Sequence, residues 1–138
     1  MEDITRRVAL TLGLTTAPGL VVSASAAEAP YAPDVGKEIA PGVRQVDLGA
    51  APSMLSGYKA VSMRDLVFQL GANTFDPMAQ NDMIGFVTHG LIRLRLGERE
   101  LVAKKDLAPW TTPKGMKTAY QNTGADVAVL RIIDLMNA

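Results

Sequence analysis

The stretch MIGFVTHGLIRLRL, Met83 to Leu96, decides the fold. Apolar and polar residues alternate through Leu91-Ile92-Arg93-Leu94-Arg95-Leu96, and Gly97-Glu98 then turns the chain. A period of two places one row of side chains on each face of a strand. Upstream, Met83 to Thr88 is a second strand-like run, joined to the first by His89-Gly90. Outward from this pair the text stays strand-like. Ala60 to Leu70 ends at Gly71, Glu100 to Ala103 follows Gly97, and Trp110 to Thr112, Lys117 to Gln121 and Val127 to Ile133 complete the set. Asn122-Thr123-Gly124 is a hairpin-type turn. Short strands separated at close intervals by Gly, Asn and Pro predict an all-β sandwich or barrel rather than a parallel α/β sheet. No long run has the 3.6-residue helical period.

Composition narrows the function. The 138 residues suffice for one domain, and Lys+Arg equal Asp+Glu at 14 each, so the net charge is zero. This leaves no electrostatic footprint for nucleic acid. Cysteine is absent and His89 is the single histidine. Disulfides, a thiol nucleophile, Cys-based metal centres and multi-histidine sites are therefore excluded within one chain.

The N-terminal region reads differently. Arg6 and Arg7 precede a moderately apolar run interrupted by Pro18 and Gly19, and Ala24-Ser25-Ala26 supplies a small-residue cleavage pattern. This layout is that of a secretory signal, and the run is too short for a membrane span. The paired arginines resemble a twin-arginine signal; the alternative is a short amphipathic helix with a flexible tail. The expected organisation is a signal peptide over residues 1–26, a linker and first edge strand over 27–49, and the barrel over 50–138. Pro30, Pro33 and Pro41 stiffen the linker, and Val43 to Leu48 alternates as an edge-like strand. The expected location is periplasmic or extracellular.

Two spaced patterns resemble those of the cupins, small RmlC-like jelly-roll barrels. Gly71 and Gly90 take the glycine positions of the first cupin motif, with Pro77, Ala79 and Met83 where its two histidines and glutamate stand. Pro113, Gly115 and Asn122 match the second motif, with Thr118 in place of its histidine and Leu107 in place of its leading glycine. The resemblance implies a single jelly-roll barrel and a homodimer formed through edge strands. It also implies that no metal or other cofactor is held, because every ligand position departs. Asp76, Gln80, Asn81 and Asp82 lie near enough in sequence to offer oxygens to a hard cation; a solvated polar loop is the favoured reading.

If alternation sends them inward, Met78, Met83, Trp110, Thr118 and Tyr120 line the barrel mouth, and Gly85 opens volume among them. A flexible, polarizable apolar lining with a few hydroxyls suits a small-molecule ligand; a side-chain-filled core is the alternative. His89 reads as a surface turn residue. Arg93, Arg95, Arg64 and Asp65 read as cross-strand pairs on the solvent face, the sharper alternative being an inward Arg93 or Arg95 that grips a carboxylate. Three functions stay open: a metal-free binding protein, an enzyme that is metal-independent or uses irregular oxygen ligands, and a structural protein with a solid barrel.

Overall fold

The computed structural model describes residues 30–137, and among them no helix forms. Ten strands follow in order: β1 Lys37–Ala40, β2 Val43–Pro52, β3 Tyr58–Phe68, β4 Asn73–Asp76, β5 Asp82–His89, β6 Leu91–Leu96, β7 Arg99–Lys104, β8 Trp110–Thr112, β9 Thr118–Asn122 and β10 Ala128–Asn137. They form a six-stranded sheet, β1-β2-β3-β10-β5-β8, and a four-stranded sheet, β4-β9-β6-β7, with every pairing antiparallel. The signal-peptide reading of residues 1–26 lies outside the described residues.

Gly90 alone separates β5 from β6, which lie in different sheets. It has φ +76°, and a Cβ there would stand 2.9 Å from Ala128. Both the left-handed backbone and the close approach demand glycine. Alternation then sends Ile92, Leu94 and Leu96 inward and leaves Arg93 and Arg95 outside. Val43, Leu66 and Phe68 from β2 and β3 meet Leu130 and Ile132 of β10 and the β6 row in one core.

The first edge strand is not Val43–Leu48, as expected, but Lys37–Ala40. Pro41-Gly42 turns the chain, so β2 becomes an interior strand paired on both sides. The sheet thus begins within the stretch expected to be linker. Strand β4, which the proline-flanked stretch after Gly71 did not announce, pairs with β9 at the edge of the smaller sheet.

Asn122 ties the strand ends together. It is 1% exposed. Its Nδ2 donates to the carbonyls of Phe68 at 3.1 Å, Gln69 at 3.2 Å and Asp126 at 2.8 Å, and its Oδ1 accepts from the Gly124 amide at 2.9 Å. Buried backbone groups without such partners are costly, which explains an asparagine at this point. On the outer face of the larger sheet, Asp65 is 1% exposed. It accepts from Arg131 Nε at 2.8 Å and Nη2 at 3.0 Å, and from the Tyr31 hydroxyl. Burial and the Asp65 carboxylate push the Tyr31 phenol above its ordinary range.

Candidate functional site: a guanidinium inside the barrel

Arg64 shares strand parity with Leu66 and Phe68, so it points between the sheets and not, as expected, to solvent. Its cross-strand partners are Asp47 on β2 and Ile132 on β10. Asp134 follows Ile132 on the same face and stands directly opposite Met83 of β5. Arg64 Nε donates to Asp134 Oδ2 at 2.9 Å and Nη2 to Oδ1 at 3.3 Å, a two-point pair. Nη1 donates to Gln45 Oε1 at 3.1 Å, and Nη2 also reaches Met83 Sδ at 3.5 Å. Four of the five guanidinium N–H bonds thus have acceptors within the protein.

This group forms one wall of an open cavity of about 520 Å³, bordered also by Asp47, Ser62, Asp76, Gln80 and Met83. A second space of about 210 Å³ shares Arg64, Asp76 and Met83 with it and adds Leu66, Thr118, Tyr120 and Ile132. Both spaces mix polar and apolar lining; the larger carries the carboxylates Asp47, Asp76 and Asp134, and the smaller sets Leu66, Met83 and Ile132 beside Thr118 and Arg64. Tyr120 is 6% exposed. Burial pushes its phenol upward, partly offset by a hydrogen bond from the Thr118 hydroxyl and by the charge of Arg64. Thr112, opposite Met83 on β8, carries the one buried side-chain polar atom without a partner among the described residues.

Of the residues expected at the mouth, Met83, Thr118 and Tyr120 come together at these spaces. Met78 does not. It is 59% exposed, because it sits off the strand in a turn closed by Asp76 Oδ1 on its amide at 3.0 Å. Gly85 and Trp110 face inward as a cross-strand pair, but Gly85 opens no volume. A Cβ there would lie 2.8 Å from the Trp110 ring, so the indole already fills the space. His89 is exposed beside Thr88. Arg93 and Arg95 stay outside and share Glu100 at 3.7 and 3.0 Å. Sequence reasoning missed Arg64, Asp134, Gln45 and Asp47. The available signal was parity: each lies an even number of residues from a core apolar residue on its strand.

The residues do not fit a cupin-type transition metal. Pro77 is exposed and Ala79 is a buried apolar residue. Met83 and Thr118 offer a thioether and a neutral hydroxyl, a poor ligand pair for such an ion. A permanent positive charge 3.5 Å from Met83 Sδ repels an added cation. Among the described residues no three of His, Cys, Asp and Glu are grouped to hold a metal ion. The oxygens expected near the mouth are otherwise engaged. Asp82 accepts from the Tyr58 hydroxyl at 2.7 Å and the Lys114 amide at 2.8 Å, which hold its carboxyl below the usual range.

No family model matches the sequence, and no curated protein does. Solved structures do match. The cupin domain of Schizosaccharomyces pombe Cnp3 superposes with a TM-score of 0.56 at 17% identity, over 69% of this chain and 61% of that one. The chain therefore spans about three fifths of the Cnp3 chain. KdgF from a Halomonas species gives 0.58 at 16% identity, over 73% and 86%. An RmlC-like cupin from Shewanella frigidimarina gives 0.57 at 12%, over 72% and 80%. The fold is that of the cupins, an all-β jelly roll, as the motif skeleton implied. Unlike a barrel built round imidazoles, its interior carries an arginine.

Proposed function

We propose that this chain is an exported cupin-fold protein that binds a small molecule in its barrel without a metal. The observation that carries this reading is the Arg64–Asp134 pair at the wall of the 520 Å³ cavity. A pair held by Gln45 and Met83 is a pre-formed polar anchor beside apolar surface, the usual make-up of a small-molecule site. An open cavity also favours binding over a solid barrel. The test is native mass spectrometry of the full chain purified gently from its host. A bound small molecule should accompany the wild type and be absent from Ser62→Phe, which places a ring in the cavity. Identical spectra without any added mass, together with no thermal shift across a metabolite library, would overturn the reading.

Elemental analysis addresses the metal. Protein purified without chelators should carry well under one equivalent of Fe, Mn, Ni, Cu or Zn, and chelation should leave its melting temperature unchanged. Export rests on Arg6-Arg7 and Ala24-Ser25-Ala26. Mass spectrometry of the cell envelope should find a chain beginning at Ala27; finding full-length protein only in the cytosol would defeat the reading. Homodimer formation is part of the same proposal. It rests on the cupin resemblance, which implies pairing through edge strands. Light scattering of the purified protein tests it.

A further inference from the structure

We infer that one end of the barrel docks on an anionic phospholipid bilayer, with apolar loop tips entering the headgroup layer. The inference goes beyond the ligand reading and does not depend on the cavity. Four loops meet at this end. The Tyr58 hydroxyl, just after the β2–β3 turn, donates to Asp82 Oδ2 at the start of β5 at 2.7 Å. The Lys114 amide of the β8–β9 turn donates to Asp82 Oδ1 at 2.8 Å. The Ala79 amide donates to the Met116 carbonyl at 2.9 Å and the Gly115 amide to the Ala79 carbonyl at 2.8 Å, which joins that turn to the β4–β5 loop. The Gly97 amide of the β6–β7 turn donates to the Lys117 carbonyl at 2.9 Å. The loops therefore form one braced rim. Three large apolar side chains project from it: Met54 is fully exposed, and Leu55 and Met78 are each 59% exposed. Their turns are closed by other groups. Ser53 Oγ accepts from the Leu55 amide at 2.9 Å, and Asp76 Oδ1 accepts from the Met78 amide.

Charge identifies the partner. Lys59, Arg99, Lys114 and Lys117 stand exposed in or beside these turns. The carboxylates there are Asp82 and Glu98, and Asp82 is already held by Tyr58 and the Lys114 amide. Asp76 borders the cavity instead. The chain as a whole is neutral, so the cation excess is local to this end. Apolar side chains on separate loop tips, ringed by long cations, suit a lipid interface. The tips enter the boundary between headgroups and acyl chains, while lysine stems lie along it and keep their charges among the phosphates. A protein partner would need about 800 Å² of complementary surface on each side, which separated tips do not offer.

The test is co-sedimentation of the full chain with vesicles of phosphatidylcholine, alone or mixed with phosphatidylglycerol. Residues 1–29 are the same in every variant, so differences between variants report on the rim. The wild type should bind the mixed vesicles at least about tenfold more tightly than the neutral ones, and salt should weaken this. Met54→Ser with Leu55→Ser should weaken binding about tenfold through lost apolar burial and leave the melting temperature unchanged. Lys59→Gln with Lys114→Gln keeps the Lys114 amide and should weaken binding about fivefold per charge at low salt. Leu70→Ser, equally exposed but beyond the opposite end of β3, should bind like the wild type. Dilute hydrogen peroxide should oxidise Met54 and Met78 severalfold more slowly on the mixed vesicles than in buffer, read by peptide mass spectrometry. Binding that survives the Met54 and Leu55 substitutions, or that leaves Met54 and Met78 unprotected, would overturn the inference. Equal binding to neutral vesicles, or equal loss in Leu70→Ser, would overturn it as well. So would the absence of vesicle binding, and crosslinks from Lys59 to an envelope protein would then assign the rim to a protein partner.

Discussion

Replacing Arg64 by methionine removes the barrel's internal cation while keeping much of its side-chain volume. Asp134, with its side chain 8% exposed, then loses its cationic partner. Breaking a fully buried pair from one side costs about 3–5 kcal/mol. Arg64 keeps a quarter of its side-chain exposure and the cavity is open, so water recovers part of this. The expected loss is about 2 kcal/mol, which for a domain of this size lowers the melting temperature by about 10 °C. Urea denaturation of Arg64→Met, Asp134→Asn and the double variant closes a cycle, and the coupling should fall near 1.5–3 kcal/mol, the range for hydrogen bonds to charged groups. Arg64→Met with Asp134→Leu should recover most of the loss, because no unpaired charge then remains inside. A coupling below about 0.5 kcal/mol, the level of exposed pairs, would refute the claim that this pair organises the barrel.

Asn122→Ala leaves three carbonyls and one amide without their partner and should cost about 3 kcal/mol by chemical denaturation; Asn122→Asp should be no milder, since it turns a carboxylate toward those carbonyls. Gly85→Leu should overpack against Trp110 and cost about 1–3 kcal/mol. Trp110 is the single tryptophan, so its fluorescence should shift as well, and unchanged stability with unchanged emission would contradict the packing. Asp82 titrates lower in the folded chain than in the unfolded one, chiefly through Tyr58 and then the Lys114 amide. Its contribution is thus present above the unfolded carboxylate value and lost as pH falls through the depressed folded one. Acid titration of stability should show a shallower decline for Asp82→Asn than for the wild type in that window, and parallel curves would refute the assignment.

The sequence makes the fold legible where the backbone needs a particular residue. Gly90 must adopt a positive φ against Ala128, and Asn122 must satisfy carbonyls from two other segments. Such demands hold whatever the barrel contains, and they carried the cupin resemblance. Strand β1 was hidden because Pro30, Pro33 and Pro41 look like linker punctuation, although proline at a strand end or turn breaks no ladder bond. The site was legible only in part. Met83, Thr118 and Tyr120 follow from strand facing, and Met78 fails because the Asp76 turn suspends alternation. Arg64 was obscured by its neighbour. Asp65 and Arg64 look like one surface pair, yet adjacent strand residues face opposite ways. Asp65 joins Arg131 outside while Arg64 joins Asp134 inside.

Those two ion pairs show how the same two strands can carry opposite burdens. Both join β3 to β10, but their surroundings differ. Outside, Tyr31 caps Asp65, and the pair fastens the segment preceding β1 to the sheet. Inside, Gln45 and Met83 take the remaining reach of Arg64, and the pair faces open volume. The inner cation is covalently part of the chain, so neither a chelator nor acid can remove it. A guanidinium supplies a fixed charge and directed N–H donors, and here most of those donors are committed to the protein. The inner pair therefore works first as a fixed brace between the strands, and the open volume beside it is bordered by Asp47, Asp76 and Met83.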